Sequence, residues 1–151
     1  DAIVNNQSID SNSIDQYATG ESNDAGRGAD VLPVYTVLDI DVAPLTVCTL
    51  AGQDAGDFGT YNKLSVRRFL RLSVPADGNY QFVASGPSDG DPDIVLHSGG
   101  FITAFEAFGQ TETSPSVSMT AGSYVVEVYE FSNLTDSPRG DTCIDVSVQS
   151  L

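Results

Sequence analysis

Asp89-Gly90-Asp91-Pro92-Asp93-Ile94-Val95-Leu96-His97-Ser98 is the stretch that decides the fold. Three aspartates alternate with Gly90 and Pro92, residues that fix a tight bend. The bend opens directly into Ile94 and Leu96, which fall on one face of an extended segment. An acidic turn feeding a strand of period two leaves no room for a helix here. Outward from this stretch, in both directions, the chain keeps the same period and is cut by turn residues.

Upstream, Val34 to Val42 alternates, with Leu38, Ile40 and Val42 set against Val37, Asp39 and Asp41, and reads as a strand. Leu45 to Leu50 is a short strand carrying Cys48, and residues 51–63 form a loop rich in Gly and Asp. Leu64 to Val74 is a long strand, with Leu70, Leu72 and Val74 on one face and Arg67, Phe69 and Arg71 on the other. Pro75 to Gly78 is a turn, and Asn79 to Ser85 returns with Tyr80, Phe82 and Ala84 aligned, so the pair is expected to be a hairpin.

Downstream, Gly99-Gly100 ends the central strand and Phe101 to Phe108 is a further strand or a twisted edge. Ser116 to Thr120 follows, then Ser123 to Phe131 with Tyr124, Val126 and Val128 in phase. Thr142 to Gln149 closes the chain, with Ile144, Val146 and Val148 alternating with Cys143, Asp145 and Ser147. There is no internal repeat. The fold class is all-β: an antiparallel, jelly-roll-like β-sandwich of about eight strands.

That sandwich occupies residues 31–151 as one domain. Residues 1–30 are polar, with Ile9, Ile14 and Tyr17 widely spaced, and are expected to form an extended arm. Ala2, Ile3 and Val4 are its apolar run, suited to pairing with a sheet edge, in this subunit or an identical one, by β-strand addition.

A chain of 151 residues buries roughly 70% of its unfolded surface, enough for a core of its own. Twenty-one acidic against six basic residues give a formal charge of −15, which excludes a nucleic-acid backbone as partner. No apolar run approaches the ~20 residues of a membrane span. The chain starts at Asp1 without a signal-peptide pattern and is expected to be a processed or excised piece.

Cys48 and Cys143 lack metal-type spacing, and with one histidine a zinc site is short of ligands. A disulfide is expected, bridging along the sheet surface because Cys143 leaves the core face, and it implies an oxidising, extracellular compartment. Two buried free thiols are the alternative.

His97 follows Leu96 in alternation and is expected to point away from the core. It has no Gly-x-Ser-x-Gly context, so no catalytic residue is assigned and the chain is read as a non-enzyme. Arg67, Arg68 and Arg71 are expected to neutralise acidic residues across the strand pair, rather than to dock an identical subunit. Asn133-Leu134-Thr135 is a glycosylation sequon. Asp89, Asp91 and Asp93 begin like an EF-hand loop but lack its twelfth-position Glu. They are read as turn residues, Asp93 tying the bend together, and kept as an alternative metal set.

Phe69-Leu-Arg-Leu-Ser-Val-Pro75, Gly90-Asp-Pro-Asp-Ile-Val-Leu96 and Ala121-Gly-Ser-Tyr-Val-Val-Glu-Val128, in that order, resemble the bacterial pre-peptidase C-terminal domain. The resemblance spans residues 64–131. It implies a secreted, non-catalytic β-sandwich used for adhesion or targeting, with an extracellular polymer or protein surface as partner. Some members of the family bind calcium. For this chain the resemblance points to Glu21-Ser-Asn23-Asp24 as the first ligand stretch and Asp54-Ala-Gly-Asp57 as the second, the alternative being that these residues form separate solvated turns. Asp57 is followed here by a loop rather than by the strand, a departure from the pattern, and the long arm and the cysteine pair also lie outside it. The rival reading is a structural subunit of an extracellular filament or surface assembly, joined through Ala2, Ile3 and Val4.

Overall fold

A computed structural model describes residues 36–49, 67–98, 101–134 and 140–151. The arm over residues 1–30, with Ala2, Ile3 and Val4, lies outside the described residues, as do Glu21, Asn23, Asp24, Asp54 and Asp57.

Nine strands are described, in two antiparallel sheets. They are β1 (Leu45–Thr49), β2 (Arg67–Val74), β3 (Gly78–Ser85), β4 (Pro92–His97), β5 (Phe101–Phe105), β6 (Thr111–Thr113), β7 (Val117–Met119), β8 (Gly122–Glu130) and β9 (Thr142–Ser150). One sheet runs β2-β8-β4-β5. The other runs β1-β9-β3-β6, with β7 also paired to β3. The two apolar faces close on one core containing Leu70, Leu72, Phe82, Ile94, Leu96, Val126, Val128, Ile144, Val146 and Val148. These are the side chains that the period-two reading placed inward, and the sandwich class stands as expected.

Two expectations change. Strands β2 and β3 do not form a hairpin: β2 pairs with β8 and β3 with β9, so the connection from Val74 to Gly78 arches between sheets. Both strands offer an apolar face (Leu70, Leu72, Val74 and Tyr80, Phe82, Ala84), and facing each other across the core satisfies both. Asp77 fixes the arch by accepting the Ala121 N–H at 2.8 Å.

Nor does the stretch ending at Val42 form a strand over its described part. Val37 bridges Arg71 of one sheet, and three residues later Ile40 bridges Val148 of the other. The segment crosses the open side of the sandwich with Leu38 buried beneath it. Asp41, at φ 59°, turns the chain there. Its carboxylate accepts both the backbone N–H (2.9 Å) and the hydroxyl (2.6 Å) of Ser150, which hold it below its ordinary pKa.

Strands β4 and β8 are buried along almost their whole length, on both faces. Over β4 and β8 the outward face of the sheet is therefore not a solvated surface.

Candidate functional site

On that outward face, alternation sets Asp93, Val95 and His97 of β4 beside Val125, Glu127 and Tyr129 of β8, and Arg67 and Phe69 of β2 beside those. Glu127 sits at the centre. His97 Nε2 lies 2.8 Å from Glu127 Oε2, and because a carboxylate only accepts, the imidazole donates. The Arg67 guanidinium bonds the other Glu127 oxygen and lies 4.1 Å over the Tyr129 ring. Burial opposes the charge of Glu127, yet the His97 hydrogen bond and Arg67 outweigh it and hold its carboxyl below the ordinary range.

The row continues through Tyr129. Its hydroxyl donates to Glu106 Oε1 at 2.7 Å, and burial together with that bond pushes the phenol up. Asp93, 2% exposed, is pushed up to about 7. Burial is the main cause, the Tyr129 bond works against it, and Asp91, Glu106 and Glu112 add repulsion.

Three sequence readings meet their outcome here. His97 does leave the core face, but it is buried against Glu127 and makes an edge contact with the Phe101 ring rather than facing water. Arg67 does neutralise a cross-strand acid. Asp93 does not tie the acidic bend, because in a fully paired strand its side chain falls on the outward row instead.

The bend is tied by Asp91 and Glu130. Glu130, at 0% exposure, accepts the Asp91 N–H with both oxygens, at 2.9 and 3.1 Å. Asp91 in turn accepts the Gly109 N–H through Oδ1 (2.8 Å) and the Phe131 N–H through its carbonyl (2.9 Å). A Cβ at Gly90 would lie 3.0 Å from Glu130 Oε2 and 3.0 Å from the Pro87 carbonyl, so a side chain there would have to push the buried carboxylate and the Pro87 backbone aside. Glu112, also buried, accepts the Ala107 N–H and fixes the start of the same loop. The result is a braced end of the sandwich. On it stand Phe108, 96% exposed, and Phe131, 46% exposed.

Among the described residues no group of three or more His, Cys, Asp and Glu is placed to hold a metal ion. The alternative set Asp89, Asp91 and Asp93 is not assembled as one. Asp91 turns to Gly109 and Asp93 to Tyr129, because neighbouring odd positions are divided between a turn and a strand face. The sequon asparagine is not available either. Asn133 is wholly buried, donating to the Gly140 carbonyl (3.0 Å) and accepting the Gly140 N–H (3.1 Å).

Cys48 and Cys143 are bonded, directly opposite each other on β1 and β9 with Cα atoms 3.9 Å apart. Both are exposed, as expected for a bridge on the sheet surface.

The raised pKa of Asp93 gives a stability profile with a definite sign. The folded state holds this proton up to about 7, whereas the unfolded chain releases it near the ordinary aspartate value of 3.8. Between those pH values the native state binds more protons, so stability falls as pH rises. Asp93→Asn is expected to flatten the urea midpoint against pH from about 4 to about 7. A wild-type midpoint that rises over this window would contradict the assignment.

No protein-family model matches the chain, and no curated protein matches it either. Among solved structures it is similar to the pre-peptidase C-terminal domain of collagenase from Bacillus anthracis, at 16% identity and a TM-score of 0.49 over 75% of this chain and 95% of that one. It is similar to PliG from Aeromonas hydrophila, a periplasmic inhibitor of g-type lysozyme, at 12% identity and a TM-score of 0.39 over 76% and 96%. It is also similar to the carbohydrate-binding module CBM36 in complex with calcium and xylotriose, at 14% identity and a TM-score of 0.35 over 71% and 99%. The chain is thus similar in structure to a domain of the family that its motifs at residues 69–75, 90–96 and 121–128 resemble.

Proposed function

We propose that this chain is a secreted, non-catalytic binding module that attaches to an extracellular polymer or protein surface. The observation that carries this is the braced end of the sandwich. Leaving a phenylalanine in water forgoes about 1.5–3 kcal/mol of burial, and Phe108 is left there on a loop fixed by Asp91 and Glu112. A rigid apolar projection of this kind suits docking. The surface disulfide supports an oxidising compartment. Catalysis is not assigned, because His97, the one histidine, is already engaged by a buried carboxylate that also holds Arg67.

Calcium belongs to this reading as a stabiliser, with Glu21, Asn23, Asp24, Asp54 and Asp57 as its oxygen ligands, a donor set of the hard kind that calcium takes. Co-sedimentation with insoluble extracellular polymers, with and without chelator, tests both halves. Saturable retention with no release of soluble product is expected, weakened by chelator. Turnover of the polymer would overturn the non-catalytic reading.

A second reading is favoured by β5, which ends its sheet among the described residues and exposes Phe101 and Ile102. In that reading Ala2, Ile3 and Val4 of one copy add to the β5 edge of the next and build an assembly. Light scattering that grows with concentration, and is lost on removing residues 1–15, would select it over the monomeric module.

A further inference from the structure

We propose that the outward face of the β2-β8-β4-β5 sheet is a docking surface for the chain's own residues 31–35, Val31-Leu-Pro-Val-Tyr35, which cross it as a strap. This goes beyond the binding reading and holds whether or not a polymer is bound. The motive is burial that the described residues do not supply. Phe69 is 3% exposed and Val125 5%, yet among the described residues these two form an apolar cluster by themselves. Val95 and Tyr129, also buried, form a second small cluster with Ala104. All nine described strands belong to the two sheets, and the main core lies on the other side of this one. The outer face of a two-layer sandwich is otherwise solvated.

Position, length and composition select residues 31–35. The Arg71 N–H donates to the Thr36 carbonyl and the Leu38 N–H to the Arg71 carbonyl, each at 2.9 Å, so the chain reaches the sheet at β2. Arg71 is in register with Val125 of β8, and Val125 with His97 of β4. Residue 35 therefore enters at the end of the row that needs covering. From β2 across β8 to β4 is about 10 Å, and five extended residues reach roughly 16 Å. The cover ends there, since Phe101, next in the row on β5, is 68% exposed.

Val31-Leu-Pro-Val-Tyr35 is also the longest uninterrupted apolar run outside the described residues. It brings no charge to a face whose central carboxylate, Glu127, is already satisfied by His97 and Arg67. Pro33 adds no N–H that would need a partner there. Residues 50–66, by contrast, carry Asp54, Asp57 and Lys63 and have to join β1 of one sheet to β2 of the other.

The test is nuclear magnetic resonance of the isotope-labelled full chain, with no ligand added. Overhauser contacts are expected from residues 31–35 to Phe69 and Val125, whose side chains would touch the strap within about 4–4.5 Å. Contacts from residues 50–66 or 1–30 in their place, or none from outside the two sheets, would overturn the inference. A second measurement uses His97, the one histidine, as a reporter of the covered face. Its carbethoxylation, read by mass spectrometry, is expected to quicken about tenfold in Leu32→Ser combined with Tyr35→Ser, the factor set by losing one buried apolar side chain. Phe58→Ser combined with Leu64→Ser is expected to leave it unchanged. The reverse pattern, or a wild-type His97 that already reacts like a free imidazole, overturns the strap. Should the paired variant not fold, the wild-type contacts decide alone.

Discussion

Glu127→Ala is expected to cost the fold about 3–5 kcal/mol, because it leaves Arg67 without its counter-charge and the buried His97 N–H without its acceptor. The alanine has no polar atom to offer, and neither partner is exposed enough to recover its hydration. Against a total stability of roughly 5–15 kcal/mol, such a loss brings a domain near its unfolding threshold. Urea denaturation followed by tyrosine fluorescence measures it directly. Glu127→Gln keeps the shape and one acceptor and should lose less. A midpoint for Glu127→Ala within experimental error of wild type would mean that the row is hydrated, and the account of the outward face would be wrong.

Cys48→Ser combined with Cys143→Ser is expected to cost about 2–5 kcal/mol, since the bond closes a loop with a sequence separation of 95. The loss should express itself first at β1, whose described sheet partner is β9 alone. Because both cysteines are exposed residues, a thiol reductant should bring wild type down to the stability of the double variant without prior unfolding. Identical denaturation curves with and without reductant would show that the bond contributes nothing.

Much of the architecture was legible because alternation is a local signal. Leu70, Leu72, Val74, Tyr80, Phe82, Ala84, Ile144, Val146 and Val148 each declare their face within a few residues. Pairing is not local. Nothing within residues 64–85 distinguishes a hairpin from an arch, because both need a turn between two half-apolar strands. The choice is made by β8 and β9, which compete for β2 and β3 from far along the chain.

Strand β6 escaped for a different reason. Thr111–Thr113 carries no apolar residue, so it has no period to read, and its middle side chain, Glu112, is buried only to hold the Ala107 N–H. The site was legible in part. The acidic bend announced itself by composition, but its partner Glu130 lies 39 positions away and became visible only through register. His97 gave its direction but not its burial, because Glu127 reaches it from another strand.

The strand order has a consequence for how the chain comes to be folded. Strand β8 joins β2 to β4 in one sheet, and β9 joins β1 to β3 in the other. Both joining strands lie in the last thirty residues of the sequence. A nascent chain emerging from its N-terminal end could therefore assemble neither four-stranded path early, and until residue 122 has appeared β2 lacks its partner, as β1 does until residue 142. Such non-local pairing makes folding slow and leaves apolar strands uncovered meanwhile. On the secreted reading proposed above, this delay is an advantage, since β1 and β2 stay unpaired while the chain is threaded unfolded across a membrane.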